Sequence, residues 1–168
     1  GMAFGVDPKV VEQVTKAVRK VTDKPVIVKL SPNVTDIVEI AKAVEAGGGN
    51  GVSLINTLLG MAIDIHRRKP LLGNIYGGLS GPAVKPVALR MVHQVYKGVN
   101  IPIIGLGGIM SGTDAIEFMM AGAQAVQVGT ATMVDPTAIS RIAREMGDYV
   151  EQYNLNSITD IVGAVHQS

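Results

Sequence analysis

The residues able to do chemistry in this chain gather in the turns that follow its short apolar runs. Gly105-Leu106-Gly107-Gly108-Ile109-Met110-Ser111-Gly112 leads into one helical segment, and Gly129-Thr130-Ala131-Thr132 follows the next run. Glycine lets a backbone approach a ligand closely, and free N–H groups at a helix start attract anions. Two such turns in successive units read as a phosphate cradle made by Gly107, Gly108, Gly129 and Thr130. Gly77-Gly78-Leu79-Ser80-Gly81-Pro82 adds Gly81, just before a proline-started helix, as a further anion or carbonyl site. The pattern is not a dinucleotide fingerprint, because Gly105-Leu106-Gly107-Gly108 lacks the final glycine and no suitably placed acidic residue follows.

Lys29 stands inside the apolar run Val26-Ile27-Val28-Lys29-Leu30. Burying an unpaired ammonium is costly, so it either faces a ligand site or snorkels from the strand end to water. Asn56-Thr57 closes the run Gly51-Val52-Ser53-Leu54-Ile55. The pair offers donors and acceptors for a carboxylate or an amide ring edge, or else merely caps a turn. His66, His93 and His166 read as isolated from one another, so no metal site is expected. Asp64 and Asp114 have no carboxylate partner at catalytic spacing, and nothing resembles a Ser-His-Asp arrangement. The basic run His66-Arg67-Arg68-Lys69 reads as a solvated loop.

The elements that must position these groups alternate. Continuous β-branched runs at 26–30, 51–55, 101–106 and 125–129 read as strands buried on both faces of a parallel sheet. Helices are expected at Pro8–Val21, Thr35–Ala46, Pro82–Lys97, Thr113–Ala121 and Pro136–Tyr153, with a last short one at Ser157–Val165. Asp7 reads as the first N-cap and Thr35 as the second, while Gly47-Gly48-Gly49 stops the second helix. The first helix places Val10, Val11, Val14, Ala17, Val18 and Val21 on one stripe. Thr57 to Gly81 is one long loop, a length that is usually functional. Strict β/α alternation with polar residues at the strand C-termini favours a (β/α)8 barrel of the TIM type over a doubly wound sheet. Four β/α units are half of such a barrel, read as one domain over residues 1–168.

Composition narrows the classes. The 168 residues carry 15 Lys plus Arg against 14 Asp plus Glu, a net charge of +1 that gives no case for nucleic acid or an anionic membrane. There is no cysteine, so disulfides and cysteine nucleophiles are excluded from the chain. No apolar stretch is long enough to span a membrane. Gly1-Met2-Ala3-Phe4-Gly5 is not a signal peptide and reads as an expression scar or a chain starting mid-sequence.

Together the motifs are specific. Pro25-Val26-Ile27-Val28-Lys29-Leu30-Ser31-Pro32-Asn33-Val34, Ser53-Leu54-Ile55-Asn56-Thr57, Gly77-Gly78-Leu79-Ser80-Gly81-Pro82-Ala83, Gly105-Leu106-Gly107-Gly108-Ile109 and Gly129-Thr130 occur in order. The chain resembles the C-terminal half of the dihydroorotate dehydrogenases, in particular the FMN-carrying subunit of the NAD-linked bacterial type. Asn56-Thr57-Leu58-Leu59-Gly60-Met61-Ala62-Ile63-Asp64 points to that subtype.

That resemblance implies a cytoplasmic flavoenzyme of pyrimidine biosynthesis that oxidises dihydroorotate to orotate. A base takes a proton from C5 while hydride passes from C6 to flavin N5. Lys29 would lie by flavin N1 and O2, and Ile55 would contact the ring. Asn56 and Thr57 would hold the pyrimidine, and Gly81, Gly107, Gly108, Gly129 and Thr130 the ribityl-phosphate end. The implied partners are the N-terminal half of the same barrel, a second copy in a homodimer, and a subunit carrying FAD and an iron–sulfur cluster. In this subtype the base is a cysteine just upstream of Gly-Met-Ala-Phe-Gly. The chain therefore holds no catalytic residue of its own and is expected to be inactive alone. Other readings are a dihydropyrimidine dehydrogenase-like FMN barrel, a dihydrouridine synthase, for which the charge is too low, and a non-catalytic FMN- or phosphate-binding half barrel. Gly107→Val is expected to weaken FMN retention by occupying the phosphate's space.

Overall fold

The computed structural model describes residues 4–167. The reading of the extreme N-terminus falls largely on residues 1–3, which lie outside the described residues. Among the described residues, eight strands and six α-helices follow in order: α1 (Pro8–Arg19), β1 (Ile27–Leu30), α2 (Ile37–Ala46), β2 (Gly51–Leu54), β3 (Leu58–Met61), β4 (Ile63–Asp64), β5 (Lys69–Pro70), β6 (Tyr76–Leu79), α3 (Lys85–Tyr96), β7 (Ile103–Leu106), α4 (Gly112–Met120), β8 (Ala125–Gln127), α5 (Thr130–Val134) and α6 (Ala138–Gln152). β1, β2, β7 and β8 form one parallel sheet in that order, with helices between successive strands, as in part of a TIM barrel.

The register fixes which side chains share a face. Lys29 aligns with Ser53, Ser53 with Ile104, and Ile104 with Ala125. The opposite face carries Leu30, Leu54 and Ile103, all fully buried against the helices with Ile40, Val44, Val92 and Phe118. Gly105 of β7 makes room for this layer, since a Cβ there would lie 2.6 Å from the Phe118 ring. Only β2 is buried along its whole length; Ile27 on β1 and Ala125 on β8 are exposed. The expectation of strands buried on both faces therefore fails at the two edge strands, where continuous apolar sequence outruns the cover this chain provides.

Helix ends follow local chemistry. Asp7 caps α1, accepting from Lys9 and Val10 N–H. Asp36, not Thr35, caps α2 by accepting from Val38 N–H at 2.8 Å, and Gly47 closes it. α1 buries Val11 in the core and Thr15 against the Gly47–Gly49 turn, while Val14, Ala17, Val18 and Val21 stay exposed, so most of the stripe read from periodicity is not covered. A 3-10 turn at Pro82–Val84 precedes α3.

Two further expectations are overturned. Thr57 to Gly81 is not a loop but an arm of two nested antiparallel ladders, β3 paired with β6 and β4 with β5. Its strand signal was hidden because Gly60 pairs with Gly77 and because Leu59, Met61 and Ile63 are exposed rather than alternating into a core. The last helix is instead two 3-10 turns, Ile158–Ile161 and Ala164–His166, parted by Gly163 at φ 74°. Among the described residues no helix is long and apolar enough to cross a membrane, and no cluster of three metal-ligating side chains occurs.

Candidate functional site

The C-terminal ends of the sheet strands converge on one cavity of about 310 Å³. Lys29, Ile55, Asn56 and Thr57 line it from β1 and β2, Gly81 from the end of the arm, Gly107 and Gly108 from β7, and Gly129 and Thr130 from β8 and α5. All nine residues singled out from the sequence thus meet in one place. A second cavity, of about 440 Å³, abuts the first and shares Lys29, Asn56 and Thr57 with it. Ser31, Asn33 and the inner strands of the arm complete its wall.

Each wall has a physical cause. Lys29 is exposed at the cavity because the register puts it on the open face of β1, while its neighbours Val28 and Leu30 turn to the helices. Ile55 N–H donates to Leu106 O at 2.8 Å and Asn56 N–H to Leu30 O at 2.9 Å, so the β2 end is tied to both neighbouring strands. Asn56 Oδ1 accepts from Thr57 N–H at 2.9 Å, which is the turn-capping role weighed above. Asn33 fixes the arm's root: its amide donates to Thr57 O at 3.1 Å and its Oδ1 accepts from Leu59 N–H at 2.9 Å. The hydroxyls of Thr130 and Ser80 join the arm's end to the start of α5 at 2.9 Å.

The glycines differ in what they permit. Gly81, Gly107 and Gly108 hold φ of 85°, 129° and 77°, a region that disfavours side chains. A Cβ on Gly107 would lie 2.8 Å from Ala88 Cβ in the α3 packing, and 3.3 and 3.7 Å from Ile55 and Val84, which line the cavity. The first obstacle that Gly107→Val meets is therefore Ala88, with the cavity wall at Ile55 and Val84 next. A Cβ on Gly129 would meet nothing within 4 Å.

Most N–H groups at the start of α4 are already taken. Asp114 Oδ2 accepts from Met110 and Ser111 N–H at 2.8 and 3.0 Å, Ser111 Oγ from Asp114 N–H, and a Glu145 carboxylate oxygen from Gly112 N–H. An anion in the cavity is left with the Gly107-Gly108 turn, the Gly129-Thr130 turn and the Ser80 and Thr130 hydroxyls. Asp114 also takes the Lys85 ammonium at 2.6 Å, and Glu117 takes it at 3.0 Å. Burial pulls Lys85 towards neutrality, but its hydrogen bonds to Asp114 and Glu117 outweigh this and raise its pKa. Asp114 is lowered, because the Lys85 ammonium and the Met110 N–H overcome its desolvation.

Sequence reasoning missed Ser80, Leu106 and Gln127, which also line the cavity. Gln127 carries the signal that marked Lys29, a polar side chain inside an apolar strand. It also missed that His93 and His166, read as isolated, stack with ring centroids 4.1 Å apart.

Parallel strands whose C-terminal ends surround a glycine-walled cavity define the chain's class, that of the β/α barrels. The chain belongs to the dihydroorotate dehydrogenase family, whose sequence model matches residues 1–150. It is 63% identical over 166 residues to the dihydroorotate dehydrogenase B (NAD(+)) catalytic subunit of Desulforamulus reducens, covering 99% of this chain and 55% of that protein. The proteins of the same name from Alkaliphilus metalliredigens and Bacteroides fragilis are 60% and 58% identical over 165 residues, covering 98% of this chain and 55% and 54% of theirs. The chain spans about half the length of the curated relatives it matches, and corresponds to their C-terminal half.

Proposed function

We propose that residues 1–168 form the C-terminal half of an FMN-binding barrel domain that oxidises dihydroorotate to orotate in the cytoplasm. The observation that carries this reading is the junction of the two cavities at Lys29, Asn56 and Thr57. A cofactor ring and a small planar substrate can meet there. The glycine-walled cavity fits the phosphate end of FMN: three of its glycines hold positive φ, the Gly129 edge is open, and two hydroxyls face it. When bound, the flavin supplies the hydride acceptor.

The chain's own groups have separable tasks. Lys29 places a positive charge where the reduced ring gathers negative charge, which favours reduction electrostatically. Ile55 packs the ring, with Leu106 beside it. Asn56 and Thr57 orient the pyrimidine through amide and hydroxyl groups. Gly81, Gly107, Gly108, Gly129 and Thr130 take the ribityl-phosphate end. The proton-abstracting base is not a cysteine of this chain, which has none. The relatives' name, catalytic subunit, supports a further partner that carries electrons on to NAD through FAD and an iron–sulfur cluster, and a homodimer is expected beside it.

The test is an FMN titration of the purified full chain, followed by flavin fluorescence and visible absorbance. Saturable binding is the expected result; no association with FMN overturns the reading. Dihydroorotate oxidation by this chain alone would overturn the placement of the base outside it.

A further inference from the structure

The cradle turns are gripped from outside the cavity by charged side chains that the reaction does not use. Gly108 rests directly on the arm's end and on α3: a Cβ there would lie 2.7 Å from Gly81 O and 2.9 Å from both Lys85 N and Lys85 Cβ. The Lys85 side chain then crosses to α4, where Asp114 Oδ1 receives its ammonium at 2.6 Å. The other oxygen of the same carboxylate holds Met110 and Ser111 N–H, the residues that continue the Gly107-Gly108 turn. From α6, Arg141 donates to Met110 O at 3.1 Å and pairs with Glu145 at 2.9 Å, and Glu145 in turn accepts from Gly112 N–H. Lys85 and Asp114 are both largely enclosed, with side chains 23% and 15% exposed, so solvent screens their attraction incompletely.

We infer that Lys85 and Asp114 are positioning residues for the phosphate cradle: their ion pair sets the spacing between the Gly81 turn and the Gly107-Gly108 turn, and so governs affinity for the cofactor's phosphate rather than for its ring. A cradle built from backbone has no side-chain rotamers with which to adjust, so its geometry depends on what holds its turns. One carboxylate that both fixes a turn's N–H groups and anchors the opposing element's lysine couples the two walls directly.

This inference rests on the FMN reading, and a pair of ligands separates the two. FMN and riboflavin share the ring and ribityl chain and differ in the phosphate. Their dissociation constants are measured by flavin fluorescence on the wild-type full chain and on Lys85→Met, Lys85→Arg and Asp114→Asn, with thermal midpoints recorded in parallel. Lys85→Met and Asp114→Asn are expected to weaken FMN about tenfold, as loss of outer supporting groups commonly does, with riboflavin changed by less than about threefold and Lys85→Arg restoring most of the FMN affinity. Equal weakening of both flavins, or no weakening of either, overturns the positioning role while leaving the FMN reading in place. A wild-type chain that binds no FMN overturns the FMN reading, and this inference with it. If Lys85→Met does not fold, the Asp114→Asn pair of constants decides alone.

Discussion

The carbonyl oxygen of Gly81 lies where a side chain on Gly108 would begin, only 2.7 Å from the ideal Cβ position. Two turns separated by 27 positions in sequence thus meet backbone to backbone. Gly108→Ala would have to move the Gly81 carbonyl and also hold a side chain at φ 77°. The left-handed conformation alone costs roughly 1–2 kcal/mol. Urea denaturation is expected to show at least that loss, with FMN affinity falling alongside.

Gly107 and Gly129 border the same cavity but predict different outcomes. Gly129→Val points into open space, so stability is expected to stay within about 0.5 kcal/mol while FMN binding weakens. Gly107→Val drives its first carbon against Ala88, and overpacking of this kind costs about 1–3 kcal/mol. Thermal midpoints and FMN titrations on the two variants read the difference.

Lys29 makes a kinetic prediction. Lys29→Ala in the complete enzyme is expected to slow flavin reduction by dihydroorotate roughly a hundredfold, the size seen when one preorganised electrostatic group is removed, without a shift in thermal midpoint. Stopped-flow reduction kinetics check it, and unchanged rates would remove Lys29 from the site.

Asn33 predicts a local effect on the arm. Its amide bridges Thr57 O and Leu59 N–H, so Asn33→Ala frees both groups at the arm's root. Each lost hydrogen bond is worth about 1 kcal/mol. Amide exchange is expected to quicken in β3 and β6, while the central strands β2 and β7 keep their protection.

The His93–His166 stack predicts a pH dependence. Burial, then the neighbouring His166 and Lys97, lower the pKa of His93 below its ordinary value of 6.5. Folding therefore favours the neutral ring. The stabilisation is present above pH 6.5 and is lost as the pH falls through the lowered value, when the folded chain must accept a charge it disfavours. His166 Nε2 meets Ala121 O at 2.9 Å, so the stack holds the C-terminal turns to α3 and this hydrogen bond holds them to the end of α4. Urea midpoints from pH 8 to pH 5 are expected to fall more steeply for wild type than for His93→Gln.

The amino-acid sequence by itself determined the alternation of strands and helices and the residues of the cavity. Both are local: a β-branched run makes a strand wherever it lies, and Lys29, Asn56 and the glycine turns sit at strand ends that parallel topology must bring to one side. Only the tertiary structure decided what depends on distant partners. The arm was illegible because glycines paired across its strands carry no alternation. Val14 and Val18 fit a buried stripe, yet their cover is a matter of which elements lie beside α1. The stacking of His93 on His166 joins residues 73 positions apart, and the Lys85–Asp114 pair joins residues 29 apart, so no spacing rule could connect them. Tertiary structure also set the direction of each glycine's missing side chain, placing Gly107 against the core and Gly129 toward open space, because that direction depends on φ and ψ and on the neighbour, neither of which the letter Gly records.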